Sequence, residues 1–141
     1  KEVADRMRAK AGTKEYGSLS VAVQYYAEVS RTAVISPNSF FPPPKVSSAV
    51  VLLKGRISPK EHFGVIDVAL FFQVVRASFG QRRKILLNAL SAGVPNVTKE
   101  TVGEILNGVG ISPTARGETL SIEQFVKIAN ALTLLRDRPN V

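Results

Sequence analysis

Apolar and polar positions alternate in two different rhythms along this chain, helical at both ends and extended in between. Val3 and Met7 lie four apart with charges around them, the spacing of one helix face. Residues 1–10 therefore read as a helix, closed near Ala11-Gly12, where glycine can take the left-handed cap. Lys1 already falls inside that helical pattern, so the chain is expected to be part of something longer. A second helix is predicted after Gly17, with Ser18 as N-cap and Leu19, Ala22, Val23 and Tyr26 as its apolar stripe.

The rhythm then changes. Glu28 to Ser36 is rich in β-branched residues and reads as a strand. A proline-rich loop, Pro37 to Lys45, leads to a second strand, Val46 to Lys54. The continuous apolar run of Ala49 to Leu53 suits burial on both faces. Two strands and two helices cannot close a sheet, and an isolated strand pair is marginal in water. Residues 1–56 are thus expected to be the tail of a larger α/β domain.

Gly55 to Gly64 reads as a linker broken by Gly55, Pro59 and Gly64. Residues 57–141 are expected to form a small all-α domain. Asp67 can cap a helix carrying Val68, Phe71, Phe72, Val75 and Phe79. The helical pattern resumes through Arg83, Leu86, Leu87 and Leu90 and stops at Gly93. Val102, Ile105 and Leu106 mark a short helix after Thr98. Ser112-Pro113 reads as a further helix start, and Arg116 with Glu118 as an ion pair shaping a turn. Ser121 and Gln124 form a capping box, and Leu120 with Phe125 a hydrophobic staple, ahead of a stripe of Phe125, Ile128, Ala129, Leu132 and Leu135.

Charge adds a partner to this picture. The net charge is +8 over 141 residues, which points to a polyanion, most often nucleic acid, against the alternative of a generally basic surface. There is no cysteine, so disulfides and thiolate metal sites are excluded. His62 is the single histidine and holds no metal without carboxylate help; no metal is expected. No apolar run approaches the roughly 20 residues that span a bilayer, and a membrane partner is not expected.

Two segments could carry chemistry. In Phe40-Phe41-Pro42-Pro43-Pro44-Lys45-Val46 the prolines stiffen the backbone beside two aromatics. A rigidly presented ring can stack on an unpaired base; alternatively the two rings fill a core gap and the prolines only turn the corner. The second segment is Phe79-Gly80-Gln81-Arg82-Arg83-Lys84. From Val68 through Lys99 there are five basic residues and no acidic one. Arg76, Arg82 and Arg83 can fork onto phosphates and Lys84 can act as a point charge; a solvated helix face is the alternative. No glycine-rich nucleotide turn, hydrolytic triad or carboxylate pair stands out.

Taken together these segments resemble the small-subunit ribosomal RNA adenine N6,N6-dimethyltransferases. Phe40-x-Pro42-x-Pro44-Lys45-Val46-x-Ser48-Ala49-Val50-Val51 is similar to the family's F-x-P-x-P-K-V-D/x-S-A-V-V motif. Phe79-x-Gln81-Arg82-Arg83-Lys84 with Asn88 resembles F-x-Q-R-R-K-x-x-x-N, and Pro113 to Phe125 resembles P-x-x-R-x-E-x-L-S-x-x-x-F. Lys1-Glu2-Val3-Ala4 and Tyr16-Gly17-x-Leu19-Ser20-Val21 resemble the stretch after the family's catalytic N-L-P-Y tetrapeptide. Ser47 departs from the usual Asp at a strand start.

The resemblance implies a Rossmann-like S-adenosylmethionine-binding domain, ending in residues 1–56, followed by an RNA-binding helical domain over 57–141. It implies methyl transfer to the N6 of two adjacent adenines of small-subunit ribosomal RNA during ribosome biogenesis. The base must leave its stack to react. The donor site and the tetrapeptide would lie ahead of Lys1, so this chain alone is expected to be inactive. Phe40 is the residue expected to stack on the target adenine. Lys45, Arg76, Gln81, Arg82, Arg83 and Lys84 are the expected RNA contacts. A cytoplasmic monomer acting on the pre-ribosomal small subunit is expected. The alternatives are the large-subunit methyltransferase of macrolide resistance, a non-catalytic RNA- or DNA-binding relative, and a basic helix-turn-helix DNA binder over residues 67–92.

Overall fold

The computed structural model describes residues 2–39, 41–42, 48–81 and 83–137, with the backbone alone at 31, 32, 34 and 37. The first helix, α1, covers Glu2–Arg8. Gly12 beyond it is left-handed, with φ 87°. Its N–H donates to the Glu118 carbonyl at 2.7 Å, which joins the end of α1 to a loop far along the chain.

Helix α2 covers Ser18–Tyr26, and its N-cap is Gly17, not Ser18. The Ser20 hydroxyl does the capping work from inside the first turn: it accepts from the Gly17 N–H at 3.1 Å and donates to the Arg6 carbonyl. The predicted stripe is also rotated. Ser20, Val21 and Tyr25 are buried, while Leu19 and Tyr26 are exposed. Apolar residues lie on both sides of this helix, and periodicity alone could not say which side meets the core.

Strands β1 (Ala27–Ile35) and β2 (Ser48–Gly55) pair antiparallel, with a register shift between Arg31 and Ala33. The apolar run in β2 is not enclosed as expected: Val50, Leu52 and Leu53 are 45%, 57% and 48% exposed. No further described strand flanks the pair, so the sheet is two-stranded. The described residues thus form a mixed fold of helices with one small sheet.

The expected linker contains a short helix, α3 (Pro59–Phe63), closed by Gly64 with φ 71°. Helix α4 (Val68–Gly80) starts as expected, with the Leu70 N–H donating to Asp67 Oδ1 at 3.1 Å. Helix α5 is Leu86–Gly93, and α6 is Lys99–Gly108, capped by Thr98. Helix α7 (Ile122–Arg136) has the predicted capping box. Gln124 N–H donates to Ser121 Oγ at 3.2 Å, and Ser121 N–H donates to Gln124 Oε1 at 2.9 Å.

Arg83 does not lie in a helix; α4 and α5 are separated by a turn closed from Lys84 N–H to the Gln81 carbonyl at 3.0 Å. Ser112-Pro113 starts no helix either. Its hydroxyl accepts from Thr114 N–H at 3.3 Å, a local side-chain bond that competes with helix formation. The following turn is held by Thr119 donating to the Arg116 carbonyl at 2.7 Å, in place of an Arg116–Glu118 ion pair.

One buried cluster contains side chains from both halves of the chain. Val21 and Tyr25 of α2 join Phe71, Val74, Leu86, Leu90, Leu106, Phe125 and Ile128. The Tyr25 ring packs against Phe63, Phe71 and Phe72, with centroids 5.5, 5.1 and 5.3 Å away. Helices α4 and α5 touch backbone to backbone: a Cβ on Gly93 would lie 2.5 Å from that of Ala77. Gly117 fits as tightly, since its Cβ would lie 2.9 Å from Ser78 Cβ.

Candidate nucleic-acid interface

The α4–α5 turn is built on the tightest part of the molecule. Its first support is the C-terminal end of α4, where Ser78 donates to the Val74 carbonyl at 2.8 Å and Gly117 presses on Ser78. Its second is the start of α5, whose free amides are satisfied from outside the helix. Leu86 N–H donates to the Ala115 carbonyl at 2.8 Å, and Leu87 N–H to that of Pro113 at 3.3 Å. Below the turn, Leu86, Ala89 and Leu90 are buried. Backbone bonds thus anchor the start of α5 immediately after the turn.

Those side chains face water. Gln81, Arg83 and Lys84 are exposed, as is Arg76 on the outer face of α4. None of the three cations is ion-paired within the described residues. Arg82 and Lys45 lie outside the described residues, as does Phe40. The structure therefore brings Gln81, Arg83 and Lys84 together in one turn, with Arg76 a helical turn earlier.

Sequence reasoning missed Arg116 as a member of this surface, having read it as half of a structural ion pair. Arg116 is exposed, and the backbone bonds from α5 set its loop against the first residues after the turn. No signal in the sequence links residues 113–116 to residue 86; only the closed fold does.

A second concave region lies between the two halves of the chain. A cleft of about 420 Å³ is lined by Arg8, Lys10, Gln24, Glu28, Arg56, His62 and Glu123, among others. Arg56 bridges it: the backbone N–H donates to the Tyr26 carbonyl at 2.9 Å and Nε to that of Gln24 at 3.1 Å. The guanidinium lies 3.8 Å from Glu28 and 5.1 Å above the Phe63 ring. Gln24 is itself fixed, donating to the Met7 and Ala9 carbonyls at 3.0 and 2.7 Å. On the far wall, the Tyr16 hydroxyl donates to the Leu120 carbonyl at 2.6 Å. Burial pushes the Tyr16 phenol well above its ordinary range, and Glu123 adds to the rise. These contacts hold the cleft in shape, and its opposed charges leave it close to neutral. The described residues hold no cluster of His, Cys, Asp or Glu fit for a metal. Among them no helix is long and apolar enough to cross a membrane.

Residues 1–134 match the family model described as ribosomal RNA adenine dimethylase. The proteins named ribosomal RNA small subunit methyltransferase A from Bacillus cereus (strain B4264) and Bacillus anthracis (strain CDC 684 / NRRL 3495) are each 53% identical over 137 residues. Those matches cover 95% of this chain and 46% of each relative, so the chain spans about half the length of these curated relatives. Among solved structures, a dimethyladenosine transferase from Plasmodium falciparum matches with a TM-score of 0.73 at 24% identity, covering 91% of this chain and 52% of that one. The 23S rRNA methyltransferase ErmE matches with a TM-score of 0.59 at 22% identity, covering 94% of this chain and 51% of that one. At those identities the likeness is one of fold.

Proposed function

The chain belongs to the ribosomal RNA adenine dimethylase family, and from that premise we propose that it is the C-terminal half of an S-adenosylmethionine-dependent small-subunit ribosomal RNA adenine dimethyltransferase. In this reading residues 1–56 end a Rossmann-like domain and residues 57–141 are its RNA-binding helical domain. The whole enzyme acts in the cytoplasm, as a monomer on the pre-ribosomal small subunit, and methylates N6 of two adjacent adenines. The 53% identity to relatives of that name supports the small-subunit substrate.

The donor does not fit the residues present here. The residues present hold no glycine-rich strand-to-helix turn to cradle it, and the cleft between the two halves mixes Arg8, Lys10 and Arg56 with Glu28 and Glu123. Calorimetric titration of the 141 residues with S-adenosylmethionine is expected to give no saturable binding at micromolar ligand.

The observation that carries the RNA role is the exposed turn bearing Arg83 and Lys84, with no ion pair to either among the described residues. Cations without a carboxylate partner have no internal electrostatic purpose, and phosphate is the anion that RNA presents everywhere. Arg76, Gln81, Arg82 and Lys45 are assigned to the same contact, which sets orientation without reading sequence. Phe40 is assigned to the target base. Replacing Arg82, Arg83 and Lys84 with Ala in the full-length protein should flatten the salt dependence of small-subunit binding by roughly 0.7–0.9 log units per lost contact. An unaltered slope with a lowered melting temperature would move these residues to a structural role.

A further inference from the structure

We infer that Phe41 is a base-stacking side chain, presenting its ring to an unpaired base of the RNA substrate. The inference rests on the RNA reading above and adds a residue and a mode of contact to it. Phe41 is 101% exposed. Phe63, Phe71, Phe72, Phe79 and Phe125, by contrast, all belong to the buried core or pack on it. Filling a core gap, the structural role that the sequence left open for this ring, is thus not what Phe41 does in this chain.

Its setting suits a flat, uncharged ligand. Pro42 follows directly, and a residue before proline is restricted to extended backbone, so little freedom is left to lose on contact. An aromatic ring has two rotatable side-chain bonds, which keeps the ordering cost low. The connection from Pro37 to Ser47 contains no carboxylate that would repel a phosphate backbone. The chain as a whole carries +8. Any base offers a π face, so such a ring grips unpaired RNA without choosing among sequences.

The test uses the full-length polypeptide and two RNAs of equal length, one a hairpin with an unpaired adenine-rich loop and the other a blunt duplex. Phe41→Ala should weaken loop-RNA binding about tenfold, within the range of one aromatic–base stack, and leave duplex binding unchanged. The salt slope should not move, because no phosphate contact is lost. Phe41→Tyr should restore the affinity and Phe41→Leu should not. Restoration by Leu as well as Tyr would overturn the inference, since burial and not stacking would then be at work. So would a fall in melting temperature for Phe41→Ala, which would place the ring against the rest of the polypeptide. A wild-type protein that binds both RNAs while Phe41→Ala keeps full affinity overturns the inference alone. A wild-type protein that binds neither RNA overturns the RNA reading together with it.

Discussion

In the helical part of the chain Phe71, Leu86, Leu106, Phe125 and Ile128 are fully enclosed, whereas in β2 Val50, Leu52 and Leu53 stay about half open to solvent. The two regions are similar in apolar content and differ in what surrounds them. Five helices and α2 wrap a common centre, with caps at Asp67, Thr98 and Ser121 closing their starts. Each strand of the hairpin has a single strand partner among the described residues, and α1 and α2 leave much of β2 open. An apolar run at that density is a sequence written for more cover than these residues supply.

The largest effect should come from the enclosed side of the comparison. Phe71→Ala empties a site between Tyr25 and Phe72 and should cost ~3–5 kcal/mol, read as a lowered midpoint in urea. Next is the close contact of α4 and α5. Gly93→Ala forces a methyl against Ala77 and should cost ~1–3 kcal/mol by overpacking; a variant as stable as the parent would mean that the two helices can slide apart.

Tyr16→Phe tests the seam between the two halves. Losing the hydroxyl bond to Leu120 should cost ~1 kcal/mol at neutral pH. The same bond predicts a pH dependence. The folded phenol titrates above its ordinary 10.0, chiefly through burial. Stability from Tyr16 is thus complete below pH 10 and declines above it, as the unfolded chain ionises first. Tyr25 is shifted upward as well, again mainly by burial, and keeps its own part of that decline. Denaturation midpoints between pH 9 and 11 should therefore fall less steeply in Tyr16→Phe than in the parent.

The smallest effect is expected on the open side. Leu52→Ala should change the stability of this chain by less than ~0.5 kcal/mol. The same substitution in the full-length protein should cost clearly more if a further layer covers the strand. Equal small effects in both would mean that β2 remains a surface in the whole enzyme.

The helix starts were legible because their signals are local. Asp67, Thr98 and the Ser121–Gln124 box each act within one turn, and the structure places their bonds where the spacing put them. Local signals failed where a second helical face or a loop competed. The α2 stripe was read one face away because Leu19 and Tyr26 are as apolar as Val21 and Tyr25. Ser112-Pro113 has the composition of a helix start, yet the Ser112 hydroxyl closes a turn instead. The basic segment was legible as a cluster, but the helical pattern expected from Arg83 onward was wrong there: Arg83 and Lys84 stand in a turn.

By itself, then, the sequence determined where α4, α6 and α7 begin, which stretches are extended, and that a run of cations carries no acid beside it. Each of these depends on neighbours within about four residues, the range of a turn or a cap. Tertiary structure alone decided that Tyr25 enters the helical core, that Gly12 bonds to Glu118, and that Arg116 flanks the basic turn. It also decided that Phe41 faces solvent while the other described phenylalanines pack inward. Those outcomes turn on which surfaces meet after collapse, and burial has no direction until the partner surface is in place.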